Sequence, residues 1–116
     1  MSPSVKEAVN TLRAREVAAR EAREQHRRRS LDAVIAALRP LLRSGDRGWV
    51  FGSLAWGGFS ASSDLDLALE GVEGARLVDI ERTAARAAGV PVDLVDLGDL
   101  PPSFQERILR DGVLIR

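Results

Sequence analysis

The chain has 116 residues, of which 45% are hydrophobic and 29% are charged, a composition typical of one globular domain. It contains no cysteine and a single histidine, which excludes disulfides, cysteine nucleophiles, thiolate zinc sites and histidine-based metal clusters. No apolar stretch approaches the roughly 18 residues of a membrane helix, and no apolar segment follows the first charges. We therefore expect a cytoplasmic protein without a secretory signal.

The formal net charge of zero conceals an uneven distribution of charge. Residues 1–48 carry 11 basic and 6 acidic side chains, whereas residues 49–116 carry 6 basic and 11 acidic ones. A basic first half could contact nucleic acid or an acidic partner. A solvated helix with surface ion pairs has the same composition, so the charge alone does not choose between these interpretations.

The first predicted element is a helix that begins at a capping box formed by Ser4 and Glu7. It continues to about Arg29 through a segment rich in alanine, arginine and glutamate, all of which favour helices. Because the apolar stripe of this helix is thin, it has little surface to bury. Residues 1–30 are therefore predicted to be a helical extension that contributes to self-association or to docking on a partner.

Residues 31–116 are predicted to form the domain itself. Ser30 either caps a second helix or lies within a continuous one. The strong apolar stripe over 31–42 should pack on the core, and Pro40 should distort the last turn. The remaining predicted elements are strands over 49–51 and 65–69, a helix over 75–88, a strand over 90–97, a helix from Pro101 or Pro102 to about Arg110, and a strand over 113–115.

The inward face of the predicted 75–88 helix follows from the spacing of its apolar residues. Its pattern turns inward Leu77, Val78, Ile80 and Ala84 or Ala85, and Gly89 stands at the stop position. The alternation of helices and strands along the chain indicates an α/β (α+β) fold, with a small mixed β-sheet flanked by helices.

Two carboxylates stand close together at the start of the second predicted strand. Asp64 and Asp66 are two residues apart, so their side chains point to the same face of the strand. Neighbouring negative charges repel each other, and Mg²⁺ is suited to compensate them because it binds one or two carboxylates and takes further ligands from substrate phosphates. Upstream, Gly52 and Ser53 follow the first strand, and if residues 53–58 begin a helical turn their N–H groups can bind phosphate. The pattern indicates a nucleotide-dependent transfer reaction.

A third carboxylate is expected on a neighbouring strand, since two-metal sites commonly share several acidic ligands. Asp93 and Asp96 are both candidates on the third predicted strand. They are three residues apart and therefore face opposite sides of a regular strand. Periodicity alone leaves the choice between them open.

Three segments of the chain resemble the minimal nucleotidyltransferase family of the polymerase-β-like superfamily. They are Gly52-Ser53-Leu54-Ala55-Trp56-Gly57, Ser63-Asp64-Leu65-Asp66-Leu67 and Val92-Asp93-Leu94-Val95-Asp96-Leu97. The resemblance extends over about residues 31–116. It implies the polymerase-β-like nucleotidyltransferase fold, with ATP as the substrate and two Mg²⁺ ions as cofactors.

The resemblance also implies a role for individual residues. It implies that Gly52 and Ser53 bind the triphosphate, with Gly57 and Ser63 of the same motifs beside the nucleotide. Asp64 and Asp66 would bind both Mg²⁺ ions. Asp93 would be the third ligand and the base for the attacking hydroxyl, which favours it over Asp96. The position of Trp56 is commonly arginine in this family, so triphosphate binding could be weaker here, unless Trp56 stacks on the base or packs against a partner.

Many members of this family that stand alone resemble the antitoxin of a toxin–antitoxin pair. The resemblance implies transfer of AMP to a tyrosine of a partner toxin that has a HEPN domain. This chain contains no tyrosine, which agrees with an acceptor on another molecule. Two alternatives stay open: an antitoxin that acts by direct contact without catalysis, and a nucleotidyltransferase for a small-molecule hydroxyl.

Overall fold

The computed structural model describes residues 4–116, and its first element is one long helix, α1 (Val5–Leu38). The predicted capping box is present, because the Glu7 N–H donates to Ser4 Oγ and the Ser4 N–H donates to Glu7 Oε2, both at 3.2 Å. Ser30 lies within the helix and is 7% exposed, so the helix is continuous. At 1.5 Å per residue, its 34 residues span about 50 Å.

The first half of α1 projects from the domain, so that the chain as a whole is 67 Å long but only 30 Å and 21 Å across. Every residue over 5–23 is exposed, including Val5 at 82% and Leu12 at 57%. Glu24 and Arg27 are the first side chains shielded by the rest of the chain. The thin apolar stripe predicted for this segment therefore has no cover within residues 4–116.

Pro40 has the effect that its position predicts. Helix α1 ends at Leu38, and a short 3₁₀ helix (Arg39–Leu41) follows. Proline has no N–H to donate to the carbonyl four residues earlier, which explains why the α-helical hydrogen-bond pattern stops here.

The sheet has four strands: β1 (Arg47–Phe51), β2 (Leu65–Glu70), β3 (Val92–Asp96) and β4 (Val113–Leu114). Their order is β3-β2-β1-β4. Strand β1 is antiparallel to both of its neighbours, whereas β2 and β3 are parallel. The predicted small mixed sheet is thus confirmed, with each strand within two residues of its predicted bounds.

Three further helices complete the fold: α2 (Ser53–Trp56), α3 (Ala75–Ala88) and α4 (Pro102–Asp111). Gly89 ends α3 in the left-handed conformation at φ +70°, as its stop position predicts. The prediction that Val78 faces inward is wrong, because it is 51% exposed. The buried positions of α3 are Ile80, Ala84 and Ala88, which follow helical spacing and leave Val78 on the opposite side.

The sheet separates two apolar layers. On one face, α1 and α3 cover the alternate β2 residues Leu65, Leu67 and Leu69. On the other face, α4 packs through Ile108 against a smaller cluster that contains Trp49, Phe51 and Ala68. Asp66 shares this second face, since it lies between Leu65 and Leu67 on a strand whose side chains alternate. None of the helices over residues 4–116 is long and apolar enough to cross a membrane.

Candidate active site

The register of the sheet brings the predicted carboxylates together. In the parallel pair of β2 and β3, Asp66 lies directly opposite Asp93, and Asp64 immediately precedes β2. Partial burial raises the pKa of Asp66, and the negative charges of Asp93 and then Asp64 raise it further. The three side chains therefore form one acidic cluster at the start of two neighbouring strands.

Asp96 lies outside this cluster. It is paired with Leu69, at the far end of β3, and its carboxylate accepts a hydrogen bond from the Gly98 N–H at 2.9 Å. The side chain therefore caps the 3₁₀ helix Leu97–Asp99 that follows the strand. Of the two candidates left open by periodicity, the structure places Asp93 beside Asp66.

Gly52 brings the turn after β1 into contact with the acidic cluster. Its backbone has φ +70° and ψ −151°, a region that is essentially restricted to glycine. A Cβ atom at this position would lie 2.0 Å from Asp66 Oδ2. The turn can approach the carboxylate only because residue 52 has no side chain.

Ser53 begins the short helix α2 directly after this turn. The Gly52 carbonyl accepts hydrogen bonds from the Ala55 N–H at 3.1 Å and the Trp56 N–H at 2.8 Å. The first N–H groups of a helix have no carbonyl partner within it, so those of Ser53 and Leu54 are directed toward the turn. The structure thus has the helical turn that a phosphate-binding segment requires, next to the carboxylates.

The polymerase β nucleotidyltransferase family matches residues 46–116, which contain all four strands, the three clustered carboxylates and the Gly52 turn. The chain belongs to this nucleotidyltransferase family. A solved structure of a protein provisionally assigned as a minimal nucleotidyltransferase is 30% identical in sequence, with a TM-score of 0.53 over 90% of this chain and 92% of that chain. No protein of curated function matches the sequence. The predicted family and fold are confirmed.

Two further residues of the nucleotidyltransferase motifs have local structural roles. The Gly57 N–H donates to the Ser53 carbonyl at 2.9 Å, and the φ of Gly57 is +120°, so this glycine ends α2. Ser63 Oγ accepts a hydrogen bond from the Ser60 N–H at 3.0 Å and closes the turn before β2. Contact of Gly57 or Ser63 with a nucleotide stays a prediction.

The donor chemistry of this nucleotidyltransferase site fits Mg²⁺ in part. Within residues 4–116, no three acidic or histidine side chains are arranged closely enough to hold a metal ion by themselves. The fit rests on the facing pair of Asp66 and Asp93 and on the raised pKa of Asp66, which a cation would lower. Since Mg²⁺ needs only one or two carboxylates when substrate phosphates supply further oxygens, such a pair is sufficient.

Trp56, at the position where the resemblance implies arginine, packs within the chain. Its indole N–H donates to the Asp111 carbonyl at 2.9 Å, and its ring centroid is 6.2 Å from that of Phe51. The guanidinium carbon of Arg107 lies 4.0 Å from the centroid of the Trp56 ring. The indole therefore joins α2 to α4, and Arg107 places a cation beside position 56, which nothing in the sequence pattern indicated.

Trp56→Phe should lower the free energy of unfolding by about 1 kcal/mol, because phenylalanine keeps most of the packing but loses the N–H donor to Asp111. Urea unfolding followed by circular dichroism measures this difference. A stability equal to that of the wild type would show that the indole hydrogen bond does not stabilise the protein.

Proposed function

We propose that this chain is a magnesium-dependent nucleotidyltransferase that transfers AMP from ATP to a hydroxyl group. The observation that carries the proposal is the contact between the Gly52 turn and Asp66, which itself faces Asp93. A phosphate-binding turn and a pair of carboxylates thereby meet at one point of the domain. Phosphoryl-type transfers require just such positioning and charge neutralisation.

The residues of the site would have distinct tasks. The Gly52 turn and the Ser53 N–H and hydroxyl would bind the triphosphate, and Asp64, Asp66 and Asp93 would hold Mg²⁺ together with oxygens of the bound triphosphate. When bound, the metal ions would neutralise the phosphate charges and stabilise the leaving pyrophosphate. Asp93, which is more exposed than Asp66, would accept the proton of the acceptor hydroxyl.

The transfer itself exchanges one phosphorus–oxygen bond for another. The acceptor oxygen forms a bond to the α-phosphorus of ATP, and the bond from that phosphorus to the oxygen shared with the β-phosphate breaks. Pyrophosphate leaves with the bonding electrons, and the hydroxyl proton passes to the Asp93 carboxylate. The products are the AMP ester of the acceptor and pyrophosphate.

The acceptor that we propose is a tyrosine of a HEPN-domain toxin, with this chain as its antitoxin. Three features support a protein acceptor: the family resemblance, the absence of tyrosine from this chain, and the exposed apolar side chains of the projecting part of α1. That segment would bind the toxin or a second copy of this chain.

ATP labelled at the α-phosphate tests the reaction. With Mg²⁺ and a purified partner toxin, the label should appear on the toxin, whereas label at the γ-phosphate should be released as pyrophosphate. Transfer of the γ-label would indicate a kinase and contradict the proposal. Asp64→Asn should abolish the signal, and transfer by this variant at the wild-type rate would exclude the carboxylate site.

A second candidate function is an antitoxin that neutralises its partner by contact alone. It is favoured by the absence, within residues 4–116, of a ready three-ligand metal cluster. The two functions differ in their need for nucleotide. Neutralisation of the toxin by Asp64→Asn, to the same degree as by the wild type and without ATP, would support the contact function.

A further inference from the structure

The long helix α1 contacts the phosphate-binding segment through one arginine. Arg27 Nη1 donates to the Leu54 carbonyl at 2.8 Å and to the Ala55 carbonyl at 3.3 Å. Both carbonyls belong to α2, and carbonyls in the last turn of a helix have no N–H partner within it. Arg27 therefore supplies hydrogen bonds that the four-residue helix cannot make for itself.

Glu24 fixes the orientation of this guanidinium. Arg27 Nε lies 2.9 Å from Glu24 Oε2, and Arg27 Nη2 lies 2.5 Å from Glu24 Oε1. This paired geometry leaves Nη1 free to face α2, because the planar guanidinium presents its donors in a fixed fork. The hydrogen bonds from Arg27 lower the pKa of Glu24 to about 2, so the pair stays charged throughout the physiological pH range.

A second contact holds the chain just beyond α2. The rings of His26 and Phe59 are stacked, with centroids 6.1 Å apart and planes inclined by 22°, and Phe59 is 3% exposed. Gly57 and Gly58 connect α2 to Phe59, both with positive φ. Helix α1 thus holds the phosphate-binding segment at α2 and again after its two glycines.

Arg27 differs in its surroundings from the next arginine along the helix. Arg28 also pairs with Glu24, at 3.2 Å, but its side chain is 73% exposed, whereas that of Arg27 is 15% exposed. Within residues 4–116, the hydrogen bonds from α1 to α2 all come from Arg27. Arg28 is therefore a matched control, since it shares the carboxylate partner but not the contact with α2.

We propose that Arg27, held by Glu24, is a positioning residue of the nucleotidyltransferase site, acting through α2 to keep Ser53 and the Gly52 turn in place for the triphosphate. The inference rests on the proposed function and extends its site beyond residues 46–116, where the family match lies. The helical extension, residues 1–30, would then contribute to nucleotide binding as well as to docking.

The expected consequence concerns nucleotide affinity more than chemistry. Without Arg27, α2 would adopt its binding geometry for only part of the time, and the apparent affinity for ATP falls in proportion to that fraction. Arg27→Ala should raise the Kd and the KM for ATP with Mg²⁺ by about tenfold or more, with a smaller change in kcat. Arg27→Lys should recover part of the affinity, because one ammonium group cannot contact Glu24 and both carbonyls together.

The test measures ATP binding in the presence of Mg²⁺ by calorimetry, and AMP transfer at varied ATP, for the wild type, Arg27→Ala, Arg27→Lys and Arg28→Ala. Arg28→Ala should keep the wild-type Kd and KM. Wild-type values for Arg27→Ala, or an equal loss for Arg28→Ala, would overturn the inference. A wild type that binds no ATP would instead overturn the proposed function.

Glu24→Gln keeps the test decisive if Arg27→Ala does not fold at the assay temperature. Glutamine retains the shape of the side chain but removes the charge that orients the guanidinium. Its Kd for ATP should lie between those of the wild type and the alanine variant. An unchanged Kd for a folded Glu24→Gln would count against the role of the pair.

Discussion

Asp66→Asn should abolish AMP transfer and, at the same time, make the ligand-free protein more stable near neutral pH. The loss of transfer should be at least about 10²–10³-fold, the size of effect expected when one group that stabilises transition-state charge is removed. The gain in stability follows because asparagine removes the cost of partly burying a charged carboxylate and also its repulsion from Asp93 and Asp64. Loss of activity with gain of stability is the pattern expected of a strained functional site.

The pH dependence of stability has a definite sign. Asp66 has an ordinary pKa of 3.8, and burial together with Asp93 and Asp64 raises it in the folded chain. The folded state therefore binds the proton more tightly than the unfolded state. The contribution of Asp66 favours folding at low pH and is lost as the pH rises from about its ordinary pKa through the raised value. Asp66→Asn should flatten this part of the profile.

Thermal unfolding with and without Mg²⁺ measures both effects. Without Mg²⁺, Asp66→Asn should have a higher melting temperature than the wild type. With Mg²⁺ and ATP, the wild type should gain stability while the variant does not, because a ligand stabilises a protein only when it binds the folded state. Asp96→Asn is the matched control and should keep wild-type transfer, since Asp96 caps a 3₁₀ helix away from the cluster. A lower melting temperature for Asp66→Asn at neutral pH would contradict the account of the acidic cluster.

Gly52→Ala should reduce transfer strongly and destabilise the fold. The backbone conformation at residue 52 costs a residue with a Cβ about 1–3 kcal/mol. The added Cβ would also lie 2.0 Å from Asp66 Oδ2, so the carboxylate must move from its place opposite Asp93. A misplacement of about 1 Å at a reacting centre is expected to lower the rate by about 100-fold.

Gly45→Ala separates the effect of the strained backbone from the effect of the contact with Asp66. Gly45 also has a positive φ, at +92°, but a Cβ there would meet nothing within 4 Å. Both variants should therefore unfold at lower urea concentration than the wild type, and only Gly52→Ala should lose transfer. Equal transfer by the two variants would show that the contact between residue 52 and Asp66 has no part in catalysis.

The sequence predicted those features of the fold that depend on local chemistry. Ser4 and Glu7 identified the start of α1, and Gly89 identified the end of α3, because caps and stops depend on residues three or four positions apart. The inward face of α3 was predicted less well: Val78 is as apolar as Leu77 and Ile80, but it lies on the opposite side of the helix from the buried Ile80, Ala84 and Ala88.

The residues of the site likewise divide into those that the local sequence identifies and those that depend on tertiary packing. Asp64 and Asp66 became candidates through their spacing together with the Gly52-Ser53 turn upstream, whereas the choice of Asp93 over Asp96 needed the register of two strands or the family resemblance. Arg27 could not be singled out, because Arg27, Arg28 and Arg29 are identical in type and adjacent in sequence. Its partner Leu54 is 27 residues away, and the indole of Trp56 bonds a carbonyl 55 residues away. Contacts of that range depend on tertiary packing, which periodicity does not contain.

Calorimetric titration of ATP into the wild type, Asp64→Asn and Asp96→Asn, each with Mg²⁺ and with a chelator, tests the proposed nucleotide site most directly. The site described here requires that the wild type bind ATP only with Mg²⁺, that Asp64→Asn lose this binding, and that Asp96→Asn retain it. Absence of ATP binding by the wild type, or equal binding by Asp64→Asn, would contradict a magnesium-dependent nucleotidyl-transfer site at these carboxylates.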